Sequence, residues 1–270
     1  MADNTAIEWT DATWNPIIGC SKVSAGCDHC YAERMARRQH GKGTVGYKDL
    51  TDEHGWTGKV RLIEDRLAQP TLWHKPRRIF VCSMSDLFHE RVTIEMRERV
   101  YQVIEACPQH TFQILTKRPE RVMAYWLKPT NNVWLGVTTE NQQAADARIP
   151  LLLQCPAAVR FVSLEPMLGA VDLRSWLWRG RQPGLVVGPM SAIPMHGTKG
   201  ASGVWGLDWV IVGGETGPGA RPVQPDWARD VRDQCKAAGV PFFFKKISSK
   251  EPTPDDLTIR EYPKGTDDVE

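Results

Sequence analysis

Short apolar runs that stop abruptly at a polar or glycine residue recur along the chain, with amphipathic stretches between them. Ile79-Phe-Val-Cys runs into Ser83-Met-Ser-Asp, Thr111-Phe-Gln-Ile-Leu into Thr116-Lys-Arg-Pro, and Val133-Trp-Leu-Gly-Val into Thr138-Thr-Glu. Val159-Arg-Phe-Val runs into Ser163-Leu-Glu-Pro, Trp209-Val-Ile-Val into Gly213-Gly-Glu-Thr, and Pro241-Phe-Phe-Phe into Lys245-Lys. The intervening periodicity predicts helices over 93–107, 119–127, 141–153 and 225–238. Strands alternating with helices imply right-handed crossover units and a parallel sheet, and nearly continuous apolar strands imply that both its faces are covered.

Such a chain is α/β, either closed into a full or partial (β/α) TIM-like barrel or open as a doubly wound sheet. In both, the carboxyl ends of the strands gather on one rim, where chemistry sits. Ser85, Asp86, Thr116, Lys117, Thr138, Glu140, Ser163, Glu165 and Glu215 all fall at such ends. Helix capping accounts for the Ser and Thr positions; it accounts less well for Lys117 and the repeated Glu. Two segments depart from the alternation. Residues 180–206 are rich in Gly and Pro and read as a loop insertion of the kind used as a lid or binding loop. Residues 249–270 read as a polar surface tail, leaving 1–248 as the barrel domain.

Composition excludes some classes. With 270 residues, 41% of them hydrophobic, the chain is expected to bury a substantial core. The opening residues lack the apolar core of a signal peptide and no run has bilayer-spanning length, so a cytoplasmic protein without membrane contact is expected. A net charge of +2 makes no whole-molecule case for nucleic acid. Local basic groups at Arg34, Arg37 and Arg38, at Lys75, Arg77 and Arg78, and at Lys117, Arg118 and Arg121 could make one, or could be solvated element edges.

The seven cysteines divide sharply. Cys82, Cys107, Cys155 and Cys235 are isolated in apolar or helical surroundings, whereas Cys20, Cys27 and Cys30 are spaced C-x6-C-x2-C ahead of a helix-like run. In a reducing compartment such a cluster points to metal or redox chemistry more than to disulfides. Two ligand sets stay open: a closed Cys3His zinc site completed by His29 or His40, or a [4Fe–4S] cluster with one iron left without a protein ligand.

The layout of a three-cysteine loop ahead of successive βα units resembles the radical S-adenosylmethionine (SAM) enzymes, although the first gap is longer than their usual three residues. "IEWTDATWNPIIGC", "GCDHCYAERMARR", "PRRIFVCSMSDLFHE", "ILTKRPERV", "VSLEPMLG" and "DWVIVGGETGPGARP" together resemble the phage and prophage three-Cys-motif, radical-SAM-like family of the DUF5131 type. The resemblance implies a partial barrel of the radical SAM type whose first strand, at Ile17-Ile18, leads into the cysteine loop. It implies that Cys20, Cys27 and Cys30 ligate a [4Fe–4S] cluster and that SAM fills the open iron site and yields a hydrogen-abstracting radical. Ser85, Asp86 and Lys117 would hold the SAM amino and carboxylate groups, and Gly213, Gly214 and Glu215 would contact its amine, unless the glycines merely supply a tight turn with positive φ. Glu165 would orient ribose or substrate.

The resemblance also implies a substrate. Phage pathways build hypermodified thymidine on DNA, and the implied reaction is isomerisation of an Nα-glycyl to a Cα-glycyl thymidine, with DNA and a reductant protein as partners. Trp9, Trp14, Trp56, Trp73 and Trp205 are candidate stacking surfaces for an extruded base, while Trp126, Trp134, Trp176 and Trp209 suit a core. Two alternatives remain. One is a radical SAM lyase for a thymine photolesion, with Cys82 as hydrogen donor; the other is a non-catalytic, zinc-stabilised nucleic-acid-binding module.

Overall fold

The computed structural model describes residues 5–125, 131–177, 206–248 and 251–263. All six apolar runs are strands of one seven-stranded parallel sheet. The strands are β1 (Ala12–Trp14), β2 (Arg78–Val81), β3 (Thr111–Thr116), β4 (Val133–Thr138), β5 (Val159–Leu164), β6 (Trp209–Val212) and β7 (Phe242–Phe244), and they lie side by side in that order. The sheet curls into a half-barrel with helices on its outer face, compatible with a partial (β/α) barrel. The principal helices are α1 (Tyr31–Gly41), α2 (Ile94–Ala106), α3 (Pro119–Tyr125), α4 (Gln142–Leu152) and α5 (Pro225–Ala238). The side chains of Thr93 and Asn141 cap α2 and α4 by accepting from the Met96 and Ala144 amides.

The first strand lies elsewhere than expected. Ala12–Trp14 forms the sheet edge, pairing Ala12 with Ile79, while Ile17–Ile18 pairs antiparallel with Arg61–Leu62 outside the sheet. Three residues centred on a polar threonine carry too little periodicity to announce a strand.

Alternation along the strands separates two cores. The outward positions, such as Ile79, Val81, Phe112, Ile114, Leu135, Val137, Val162, Leu164, Val210 and Val212, pack under the helices. The inward positions form an aromatic plug of Trp9, Phe80, Trp134, Phe161, Trp209 and Phe243. Trp9 sits 4.7 Å from Phe80 and Trp134 5.6 Å from Trp209, ring centre to ring centre. This plug fills the interior of the half-barrel toward the amino ends of the strands.

The segment after Ser248 is no free tail over its described part. Ile259 accepts from the Phe244 amide, Leu257 is fully buried, and the Tyr262 ring lies 5.4 Å from Trp209 under the Arg78 guanidinium. Arg260 pairs with Glu8, tying this segment to the chain before β1. The insertion at 180–206 falls outside the described residues except for Gly206, as do Trp126 and Trp205.

Candidate active site

A cavity of about 180 Å³ opens at the carboxyl ends of the strands. Its floor is the apolar edge of the plug, Ile7, Trp9, Phe80 and Leu115, and its walls carry Cys20, Cys27, Cys30 and Cys82 beside Lys117, Thr138, Ser163 and Glu165. The three clustered cysteines therefore share one cavity with the strand-end polar groups. Of the nine strand-end residues singled out above, Glu140 alone is not part of the wall.

Three strand ends grip the cysteine loop. After β3, Arg118 is buried against Asp86, with Nη1 donating to Oδ2 at 3.1 Å, while its Nη2 donates to Ser21 Oγ at 2.8 Å and to the Ser21 carbonyl at 3.2 Å. After β4, Glu140 pairs with Arg148 of α4 at 2.7 Å and packs on Gly26 so closely that a Cβ there would sit 3.1 Å from its carboxyl carbon. After β6, Glu215 takes a two-pronged ion pair from Arg221, whose guanidinium continues to the Ala25 carbonyl and to Asp28. His29 Nδ1 lies 3.0 Å from the same Glu215 carboxylate. Burial works against a charged Glu215, but the Arg221 hydrogen bonds outweigh it and hold the carboxyl below its ordinary range.

Ser21 Oγ also lies 2.9 Å from His89 Nε2. This is no nucleophile and base. His89 Nδ1 accepts from the Arg91 amide, which leaves the proton on Nε2, and burial followed by the Arg118 charge keeps the imidazole neutral.

These contacts reassign two expected ligand groups. Asp86 is 6% exposed, and its oxygens accept from the Phe88 and Lys117 amides, from Thr116 Oγ1 and from Arg118. A carboxylate so fully occupied by the protein holds a turn and leaves little for the amine of a ligand. Glu215 is likewise consumed by Arg221. Ser85 donates to the Gly19 carbonyl at 2.7 Å and anchors the entry to the cysteine loop. Gly213 and Gly214 do not have positive φ. Gly214 is required by close approach, since a Cβ there would fall 1.6 Å from the Ile247 carbonyl oxygen.

The remaining expected residues differ in how far they are engaged. Lys117 makes no ion pair among the described residues and reaches only Thr138 Oγ1, at 3.4 Å. Glu165 lines the wall paired with Lys245. Cys82 is buried in the left-handed region at φ 59°, and burial pushes its thiol up to about 12. Burial, aided by Asp86, likewise pushes Cys20 up to about 12.

The donor set bears on which metal group could fit. Among the described residues no three His, Cys, Asp or Glu side chains are grouped so as to hold one metal ion. His29 is engaged with Glu215, and His40 is exposed in the last turn of α1 and absent from the cavity wall. His40 therefore lies away from the three cysteines, whereas His29 lines the cavity with them, its Nδ1 toward the Glu215 carboxylate and its Nε2 not used by that contact. A cubane cluster takes each thiolate on a different iron, so its ligands need not converge on one point. Cys20, Cys27 and Cys30 line one cavity wall together with Cys82, so three thiols there could each take a separate iron of such a cluster.

The nucleic-acid features are reassigned as well. Trp9, Trp14 and Trp73 are core residues, and only Trp56 of the described stacking candidates lines the cavity while half-buried. Arg78 pairs with Asp11 at the amino end of β2, away from the cavity, and Arg118 is buried. Sequence reasoning missed Arg221 and Arg148; their only signal was an unexplained basic residue within reach of an expected acidic one.

Half-barrel, three-cysteine loop and strand-end cavity define the class, and the family can now be stated. The chain belongs to DUF5131, a family described as proteins of unknown function, whose model matches residues 4–260. No curated protein and no solved structure matches the chain. No helix among the described residues is long and apolar enough to cross a membrane.

Proposed function

We propose that this protein is a radical SAM enzyme in which Cys20, Cys27 and Cys30 hold a [4Fe–4S] cluster. The observation that carries the reading is the meeting of these three thiols, on a loop gripped from three strand ends, with a chemically varied cavity at the carboxyl rim of a parallel half-barrel. The cluster and SAM, when bound, supply one-electron reduction of the sulfonium and a carbon radical able to remove hydrogen from substrate. The chain's own residues do the rest. Arg118, Glu140 and Arg221 fix the loop before the cofactor arrives. The aromatic floor closes the barrel interior behind the cavity, and Lys117 offers a positive charge to a ligand carboxylate.

The substrate reading follows from the family resemblance: DNA carrying an amino-acid-modified thymidine, isomerised from Nα-glycyl to Cα-glycyl thymidine in the host cytoplasm, with a reductant protein as electron source. The assay incubates reconstituted, reduced enzyme with SAM and DNA containing Nα-glycyl thymidine, then digests the DNA and separates the nucleosides. The proposal expects a product of identical mass and altered retention, together with 5′-deoxyadenosine. SAM cleavage without any change in the nucleoside would reject this substrate.

A second reading, a lyase for a thymine photolesion, is favoured by Cys82, a thiol in the cavity wall that burial keeps protonated and so able to give up hydrogen. Cys82→Ala separates the two: it abolishes lesion repair under the second reading and spares isomerisation under the first.

A further inference from the structure

The cavity wall also contains a polar row that the described residues leave unsatisfied. Lys117, Thr138 and Ser163 come from three adjacent strand ends, β3, β4 and β5, and Thr138 and Ser163 are direct partners in the strand register. All three line the cavity. Ser163 is 1% exposed, yet its Oγ has no hydrogen-bond partner among the described residues. A buried hydroxyl without a partner is costly and in native structures calls for an explanation. Thr138 Oγ1 accepts the Lys117 ammonium at 3.4 Å and donates to no acceptor among the described residues.

The row thus offers one cation and two hydroxyl donors. Glu165, just past the end of the same strand and also in the cavity wall, is neutralised by Lys245. Asp86 and Glu140 are taken up by Arg118 and Arg148. Among the described residues the charge in the row that makes no ion pair is the Lys117 ammonium. That suits a monoanion with two acceptor oxygens better than a phosphate dianion, which would face the Glu165 carboxylate.

We propose that Lys117, Thr138 and Ser163 form a carboxylate-binding row that recognises the amino-acid end of a ligand, with Ser163 as a specificity-determining residue. The inference rests on the proposed function only for its choice of probes, because two ligands of that scheme carry such a carboxylate: SAM, and a glycyl-bearing thymidine.

The test is calorimetric binding to the full-length chain purified without cluster, so that it does not depend on radical chemistry. Two pairs of probes are used, SAM against 5′-methylthioadenosine and Nα-glycyl thymidine against 5-aminomethyl-2′-deoxyuridine; the second member of each lacks the carboxylate. Inorganic phosphate is a fifth probe. In at least one pair, the carboxylate-bearing member should bind more tightly, losing about tenfold in Ser163→Ala and about a hundredfold in Lys117→Met. Its partner should be indifferent to both substitutions. The pair that responds identifies the source of the carboxylate. Equal losses for both members of each pair, no binding of any probe, or Ser163-dependent binding of phosphate alone would overturn the proposal. Carboxylate selectivity in a chain that never assembles a cluster would uphold this inference and reject the radical reading.

Discussion

The two sides of the cavity are built from the same kind of strand end but differ in how far the protein uses its own polar groups. On the cysteine side every charged residue is taken. Asp86 meets Arg118, Glu140 meets Arg148, and Glu215 meets Arg221. In the row of Lys117, Thr138 and Ser163, Lys117 makes no ion pair and Ser163 Oγ no hydrogen bond among the described residues. The first arrangement fixes a loop that has no regular structure apart from one turn at Ala25–Cys27; the second leaves binding capacity unspent. A saturated wall holds the cysteine loop in place, and an unsaturated one keeps polar groups free for a ligand.

The comparison predicts a graded set of substitution effects. The largest belongs to Arg118→Ala, which strands the buried Asp86 carboxylate and releases Ser21; urea unfolding should show a loss of about 3–5 kcal/mol. A loss under about 1 kcal/mol would mean that Arg118 is not the brace described. Glu215→Ala should cost less, about 1–3 kcal/mol, because Arg221 keeps Asp28 and the Ala25 carbonyl. It should also speed iodoacetamide labelling of Cys27 and Cys30, followed by mass spectrometry, whereas labelling of Cys235 in α5 should not change.

Acid offers a finer probe. The folded Glu215 carboxyl lies below its ordinary 4.5, so the stability it contributes is complete above that value and is lost as pH falls through the folded value. The stability gap between wild type and Glu215→Gln should therefore stay level from neutrality down to about pH 5 and close at lower pH. A gap that closed near neutrality would implicate another group. The smallest effect has the opposite sign. Ser163→Ala removes a hydroxyl that has no partner, so the ligand-free protein should be unchanged or more stable by up to about 1 kcal/mol. Clear destabilisation would show that Ser163 is already satisfied, and the contrast between the walls would fail.

Much of this was legible in the sequence because strand ends announce themselves. Each apolar run ends on polar residues, and that pattern located six of the seven strands and their common rim. It also put Lys117, Ser163 and Glu165 in one region. The missed strand, Ala12–Trp14, is short and half polar, and its apolar neighbour Ile17–Ile18 drew the assignment instead. Composition could not reveal which acids were already engaged. Asp86 and Glu215 looked like free ligand groups because one partner, Arg118, lies 32 residues along the chain and the other, Arg221, is brought back only by the glycine-rich turn between them. Trp9, Trp14 and Trp73 looked like stacking surfaces since each stands beside polar residues, yet the inward and outward faces of the half-barrel claim them. The polar composition after Ser248 concealed Leu257 and Tyr262, two residues sufficient to dock that segment.

The central claim, that the gripped cysteine loop holds an iron–sulfur cluster with an open iron, is tested most directly by reconstituting the protein without oxygen. Iron and sulfide content would be measured with the reduced EPR spectrum, with and without SAM. The account predicts about four irons per chain and a spectrum altered by SAM, both lost when Cys20, Cys27 and Cys30 are replaced together by Ala. Stoichiometric zinc, no cluster and no response to SAM would contradict it.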